Sequence, residues 1–254
     1  MGEILSFLMF KPLTFTIDNY EFYNVMIVKN PLVIIQTINL IICLISITVG
    51  IKNYKSPSIV RILIFIPIFS FSQILISETL SALNPTVLYF QVSFAQKILV
   101  ILYSILEFLI IIIFLTKDTT SIKTKLVLII ICILLEAVAI VEMIIKIKKR
   151  EEITLDYFYV MEGILLLVYI SNDLIKFFNK NELNQVVKND VFIAKTGILL
   201  SFSVFWPSSL IQNLVLKNIK ILHSYFFISN SIGYLIMFVF FSISFYASRK
   251  SRIN

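Results

Sequence analysis

Apolar residues dominate seven long segments of the chain, and short polar stretches separate them. A helix needs about 20 apolar residues to cross the roughly 30 Å hydrocarbon core of a bilayer. Every segment reaches that length, so the pattern predicts an all-α polytopic integral membrane protein, a bundle of seven transmembrane helices. The predicted helices span residues 31–51, 58–80, 88–115, 125–147, 154–178, 190–216 and 221–247.

The first 30 residues differ from the rest of the chain. Residues 4–10 are apolar but too short to span a bilayer, and Lys11 and Pro12 end the run. No basic stretch precedes it and no small-residue cleavage site follows, so we expect an interfacial segment rather than a removable signal peptide. Residues 31–248 form the predicted transmembrane domain, and residues 249–254 form a short basic tail.

Composition excludes a soluble fold. Hydrophobic residues make up 59% of the 254 residues and charged residues only 15%, whereas soluble domains carry about 45–50% and about 25%. So few polar residues could not cover so much apolar surface in water. The net charge is +7, but Lys and Arg cluster beside the apolar segments, as membrane anchors do. We therefore expect the lipid bilayer as a partner and no nucleic acid.

The basic residues also predict an orientation. Beside the helix ends, 12 Lys and Arg lie on the side of the C-terminus and 8 on the other side, although the run 146–150 opposes this bias. Basic residues are enriched on the cytoplasmic side of membrane proteins. We therefore expect a plasma membrane protein (bacterial inner membrane) with its N-terminus outside and its C-terminus in the cytoplasm.

Ionisable side chains inside the predicted spans need an explanation, because each costs about 2.5–3.5 kcal/mol at a helix centre. Glu107, Glu136 and Glu162 lie deepest. An unpaired carboxylate takes up a proton in hydrocarbon, so we expect these three to be neutral or paired with a lysine. Within about two turns of a helix end, where side chains can reach the interface, lie Glu142, Asp173 and Lys195.

Polar residues recur at helical spacing in three predicted helices. Positions i, i+7 and i+11 share one helical face, and a polar face should point into the bundle because lipid cannot satisfy its hydrogen bonds. Such stripes hold helices together or form a ligand, ion or proton site. The stripes are Gln96, Tyr103 and Glu107; Glu162, Tyr169 and Asp173; and His223, Asn230 and Tyr234. The candidate ligand- or proton-binding residues are Gln96, Tyr103, Glu107, Glu136, Glu162, Tyr169, Lys195, Asn230 and Tyr234.

Two prolines, Pro67 and Pro207, lie inside predicted helices two and six. A proline removes a backbone donor and kinks a helix. If helix four is a linker, the two prolines occupy matching places in a three-plus-one-plus-three arrangement, the parallel repeat of sugar transporters of the SWEET class. The Pro-Gln dipeptide typical of that class is absent.

Several activities are excluded or unsupported. Both cysteines lie in apolar segments, which disfavours a disulfide, and a single histidine excludes multi-histidine metal sites. No His-Glu-x-x-His, Gly-x-Ser-x-Gly or phosphate-binding glycine loop occurs, and helix seven has no interior lysine for a retinal Schiff base. We therefore expect no metal and no cofactor, and the sequence assigns no enzymatic activity.

Short motifs in helices two to seven resemble a group of bacterial seven-helix membrane proteins of about this length. The resembling residues are 103–108 (YSILEF), Glu162 with Tyr169, 195–205 (KTGILLSFSVF), and Asn230 with Tyr234. The resemblance implies a seven-helix fold and carries no activity with it.

Seven spans, a polar interior and short loops predict a sensory or signal-transduction module. It would bind a small or lipid-like ligand in the bundle core and act through a separate partner protein, since no loop or tail is long enough for an output domain. A small-solute or proton-coupled transporter is the first alternative, favoured by the two prolines and the buried carboxylates. A structural or assembly subunit of a membrane complex is the second. Transport predicts superposable halves around a central cavity at Glu107 and Glu162, whereas sensing predicts a pocket closed at one end.

Overall fold

The computed structural model describes residues 21–54, 58–82, 89–149, 156–180, 189–214 and 220–250. The chain divides into two compact units, residues 1–34 and 35–254. In the first unit only residues 21–34 are described, and they are helical. Most of the predicted interfacial segment and of the basic tail lies outside the described residues. The contacts below all belong to the second unit.

Seven α-helices and one 3-10 helix make up almost all of the described chain, and these ranges contain no strand. The all-α prediction is therefore confirmed for them. The 3-10 helix, Ile59–Ile64, runs directly into α2. The α-helices are α1 (Glu21–Asn53), α2 (Phe65–Ala82), α3 (Tyr89–Asp118), α4 (Ile122–Lys149), α5 (Asp156–Lys180), α6 (Asp190–Leu214) and α7 (Lys220–Lys250).

The predicted bounds of helices two to seven agree with the structure to within three residues. Helix α1 begins ten residues before the predicted position 31, and the second predicted helix consists of two pieces. Among the described residues six stretches are long and apolar enough to cross a membrane, and α1 contributes a shorter one, Thr37–Asn53. The six are Ile59–Ser77, Ala95–Asp118, Ile122–Lys148, Tyr157–Asn179, Asp190–Pro207 and Ile228–Ser248.

The two prolines occupy different environments. Pro67 is the third residue of α2, just after the 3-10 helix. In the first turn of an α-helix the backbone N–H has no intrahelical partner, so proline is tolerated there. Pro67 therefore lies where the helix changes type, whereas Pro207 lies inside α6.

Helix α3 is the most buried of the apolar spans, and α4 is the least buried. Helices α6 and α7 share the most extensive interface. They approach closely at Gly197, where an added Cβ would come within 2.4 Å of Phe240 Cβ. Such small residues allow tight helix packing in membranes. Five phenylalanines fill the centre of the core: Phe108, Phe114, Phe158, Phe238 and Phe241.

The outer surface of α4 is strongly apolar. This helix packs on α3 and α5 and carries large side chains that are more than half exposed, namely Leu126, Val127, Ile130, Ile133 and Leu134. A soluble protein rarely exposes so continuous an apolar face. The surface therefore fits a lipid environment.

Candidate functional site

A small cavity lies between α3, α5, α6 and α7. Its volume of about 20 Å³ is enough for one water molecule. Each of the four helices contributes at least one polar side chain to its wall. The lining residues are Ser104, Glu107, Tyr159, Glu162, Ser201, Phe202, Phe205, Asn230 and Tyr234.

Glu107 of α3 and Tyr234 of α7 meet on one side of the cavity. The Tyr234 hydroxyl donates a hydrogen bond of 2.7 Å to Glu107 Oε2, and Glu107 is buried. The ring of Tyr103, one turn earlier on α3, lies 6.1 Å from the ring of Tyr234. Asn230 reaches the cavity because it precedes Tyr234 by one turn. The structure thus brings together four candidates from two predicted stripes.

Glu162 of α5 lines the cavity from a different helix, with only 3% of its surface exposed. Within the part of the chain that the structure describes, its carboxyl group accepts no hydrogen bond. Buried polar groups are normally hydrogen-bonded, and this one faces a space large enough for one small polar species. Glu162 is therefore the buried carboxyl group with free capacity at the cavity.

Hydroxyl and aromatic groups complete the wall. Ser104 Oγ and the Tyr159 hydroxyl lie 3.0 Å apart. The ring of Tyr159 meets that of Phe205 edge-on at 6.4 Å, and Phe205 meets Phe202 at 5.6 Å. The rings themselves are apolar, so the polar groups are the hydrogen-bonding partners inside the cavity.

The lining residues lie near the middle of α3, α6 and α7 and near the start of α5. Toward the end of the bundle where α3, α5 and α7 finish and α6 begins, each helix continues with fully buried apolar side chains. This apolar layer consists of Ile111, Leu115, Leu166, Ile170, Ile198 and Phe241.

A charge cluster around one buried lysine lies on the far side of the apolar layer. Lys195 of α6 forms ion pairs with Asp118 of α3 and Asp173 of α5. The lysine side chain is 6% exposed, and those of the aspartates are 29% and 36% exposed. Eleven residues separate Asp118 from Glu107, about 16 Å along a helix. We call Lys195, Asp118 and Asp173 the lysine cluster, and we call the end of the bundle where they lie the lysine end.

The lysine cluster has hydroxyl neighbours. Thr119 Oγ1 and the Tyr169 hydroxyl lie 2.5 Å apart, and Thr119 N donates to Leu115 O at the end of α3. Lys195 and Tyr169 were candidates from the sequence. Asp118 and Thr119 were not candidates, because such residues at a helix end are typically solvated. A buried Lys195 needs partners, and that need is the signal that could have found Asp118.

Asp190 joins three elements at the same end. Ser58, at the start of the 3-10 helix, donates to Asp190 Oδ2 and accepts from Val60 N at 3.3 Å. Ser244 Oγ of α7 donates to Asp190 O at 2.6 Å. Asn189 Oδ1 accepts from Phe192 N at 2.8 Å and caps α6. Sequence reasoning missed this junction, since a polar residue at a helix start is ordinary.

The other candidates lie away from the cavity. Gln96 Nε2 donates to Ser77 O at 2.9 Å and links α3 to α2. Glu136 of α4 is outside the lining, although it lies within electrostatic range of Glu162. Glu142 Oε1 accepts from Tyr157 N at 3.4 Å, at the first turn of α5. The side chain of His223 lies outside the described residues.

Metal-ligating side chains do not gather in the described ranges: these contain no group of three or more His, Cys, Asp or Glu suited to a metal ion. Cys43 and Cys132 are both free and buried. Cys43 Sγ donates to Pro67 O at 3.1 Å. The two thiols thus take part in helix packing.

Comparison of the chain with protein-family models, with curated proteins and with solved structures finds no match. What the cavity and the lysine cluster do must therefore be argued from their own geometry and chemistry.

Proposed function

We propose that this chain is a seven-span integral membrane protein that acts as a sensory module. A small ligand reaches the cavity from the outer face of a bacterial inner membrane. The bundle then passes on the occupied state to the cytoplasmic face, where a separate partner protein responds. The proposed orientation has the N-terminus outside, and the lysine end then faces the cytoplasm because Lys117, Lys123 and Lys176 lie there.

The apolar layer on one side of the cavity carries this proposal. Glu107 and Glu162 face a small polar space, and the apolar layer separates it from the lysine end. A receptor needs a site that a ligand reaches from one side only. A carrier must open the same site to both sides in turn. The apolar layer therefore favours sensing over transport.

The lysine cluster supplies a route for the signal. Helices α3, α5 and α6 all line the cavity, and the same three helices hold the lysine cluster. A ligand that shifts one of them relative to the others also strains the ion pairs of Lys195. Packed helices of this kind have discrete arrangements, so a small shift at one end can change the other.

Spin-label distances test this route. Labels at Lys117→Cys of α3 and Lys176→Cys of α5, both exposed at the lysine end, report helix separation after the buried thiols are replaced (Cys43→Ser, Cys132→Ala). Glu107→Gln with Glu162→Gln mimics a neutralised, occupied site. We expect this pair of substitutions to shift the distance distribution by about 2 Å or more.

The matched control is Glu136→Gln, the same chemical change on α4 outside the cavity lining. It should leave the distance distribution where it is. A folded Glu107→Gln/Glu162→Gln protein with unchanged distances would overturn the sensory proposal. Transport of a solute or ion by the protein across the membrane of sealed vesicles would also overturn it, in favour of the transporter.

A further inference from the structure

The hydrogen-bonding groups that line the cavity all offer oxygen atoms. They are the carboxyl groups of Glu107 and Glu162, the amide of Asn230, and the hydroxyls of Ser104, Tyr159, Ser201 and Tyr234. No Lys, Arg or His among the described residues lines the cavity, and Lys195 pairs with Asp118, which lies about 16 Å along α3 from Glu107. Two carboxyl groups without a basic neighbour attract a cation.

The hydrogen bonds leave room for such a ligand. Glu107 Oε2 accepts from Tyr234, which stabilises one side of the site. Glu162 is almost fully buried, and no donor among the described residues reaches its carboxyl group. An unpaired buried polar group is costly. A positively charged ligand at the cavity would remove that cost.

The size of the cavity limits the ligand. A volume of about 20 Å³ admits a single water-sized species, which excludes sugars, amino acids and organic amines. Mg²⁺ retains several waters, and Ca²⁺ takes six to eight oxygen ligands, so neither fits this space. A bare Na⁺ fits, and a proton bound to a carboxylate together with one water molecule fits as well.

From this lining and volume, and on the basis of the proposed sensory function, we infer that the cavity takes up one monovalent cation, either Na⁺ or a proton, through Glu107 and Glu162. Either ion brings a single positive charge to carboxylate oxygens, and a proton forms an O–H bond with one of them.

Other ionisable groups face the two glutamates and belong to the same electrostatic environment. Tyr103 is on α3 beside Glu107, Glu136 is on α4 within range of Glu162, and Tyr159 and Tyr234 line the cavity from α5 and α7. Cys43 of α1 lies within range of Tyr103. The described side chains of α6 add no acidic or basic group to the lining.

Thermal unfolding of the purified full chain in sodium-free detergent tests the inference. One arm raises NaCl from 0.1 to 100 mM at fixed pH, against choline chloride at matched ionic strength. The other arm lowers the pH from 9 to 5 without sodium. We expect Tm to rise by about 5 °C in at least one arm, because a bound ligand stabilises the folded state. The arm that responds identifies the ion.

Variants then locate the ion. Glu107→Gln/Glu162→Gln should abolish the response, whereas Glu136→Gln, outside the lining but within electrostatic range of Glu162, should keep it with a shifted midpoint. If the double variant does not fold, Glu162→Asp retains the charge but withdraws it, and the half-saturating sodium concentration or midpoint proton concentration should change at least about tenfold. A cooperative wild-type transition that ignores both arms would overturn the inference, as would a response unchanged in Glu162→Asp.

The two proposals fail separately. A cation-dependent Tm without any change in the Lys117–Lys176 spin-label distance keeps the cation site and removes the sensory route. A changed distance in the neutralised variant without any cation-dependent Tm keeps the sensory route and removes the cation.

Discussion

The ring of Trp206 lies against the backbone of Gly163. A Cβ added to Gly163 would come within 1.7 Å of Cδ1 of the indole, and the Trp206 Nε1–H donates a 3.0 Å hydrogen bond to Val160 O. The contact joins α5 to α6 one residue after Glu162. The position of Glu162 at the cavity therefore depends on its neighbour, residue 163, being a glycine.

Gly163→Ala should destabilise the protein by about 1–3 kcal/mol, because the new methyl group must displace a ring held by a hydrogen bond. Chemical unfolding in detergent measures the change. Gly233→Ala is the matched control, since its nearest neighbour, Ser201 O, is 3.2 Å from an added Cβ. Equal losses in the two variants would show that the Trp206 contact yields without strain.

Tyr234→Phe should cost about 1–2 kcal/mol of unfolding free energy. The substitution removes only the hydroxyl, which donates to Glu107 Oε2, and leaves that buried oxygen without this donor. Tyr246→Phe is the control, because Tyr246 is on the same helix and 60% exposed. A Tyr234→Phe protein as stable as Tyr246→Phe would contradict the importance of this bond.

Lys195→Met should destabilise by about 2–4 kcal/mol, because Asp118 and Asp173 then lose the cation between them. The partial exposure of both aspartates keeps the loss below that of a fully buried triad. Lys176→Met, an exposed lysine on α5, should change little. Adding Asp118→Asn and Asp173→Asn to Lys195→Met should restore most of the lost stability, and failure to do so would mean that lysine packing dominates.

Ser58→Ala should cost about 1 kcal/mol. The change removes the hydrogen bond to Asp190 and the acceptor for Val60 N, which together fix the start of the 3-10 helix. Ser203→Ala is a fitting comparison, because Ser203 is exposed and bonds only to Leu199 O of its own helix. The difference between their unfolding midpoints in denaturant measures the junction.

The helix bounds could be predicted from the sequence because a bilayer sets the length of apolar segments. The 3-10 helix could not, since over the six residues of Ile59–Ile64 its period of 3.0 cannot be separated from 3.6. The early start of α1 was also missed. Apolar length predicts only where a helix crosses lipid, and nothing in it prevents a helix from continuing through polar residues such as Glu21 and Asn24.

The interior-facing stripes could be predicted in part. Helical spacing put Glu107 and Tyr234 on inward faces, and the structure brings both to one cavity with Glu162. Tyr169 follows Glu162 by seven residues and shares its helical face. It lies about 10 Å further along α5, however, and meets Thr119 instead. Spacing gives the face of a helix. Which residues meet also depends on which helices are neighbours and on how far each is shifted along the bundle axis. A single sequence does not contain this information.

The depth of the cavity has an electrical consequence. Its lining residues lie near the middle of α3, α6 and α7, which corresponds to about half of the hydrocarbon thickness. A positive charge that reaches the cavity from one face crosses about half of the membrane potential, worth about 1.2 kcal/mol per 100 mV. Occupancy of the cavity would then follow membrane voltage as well as ion concentration, and an energised cell would load it more readily than a depolarised one.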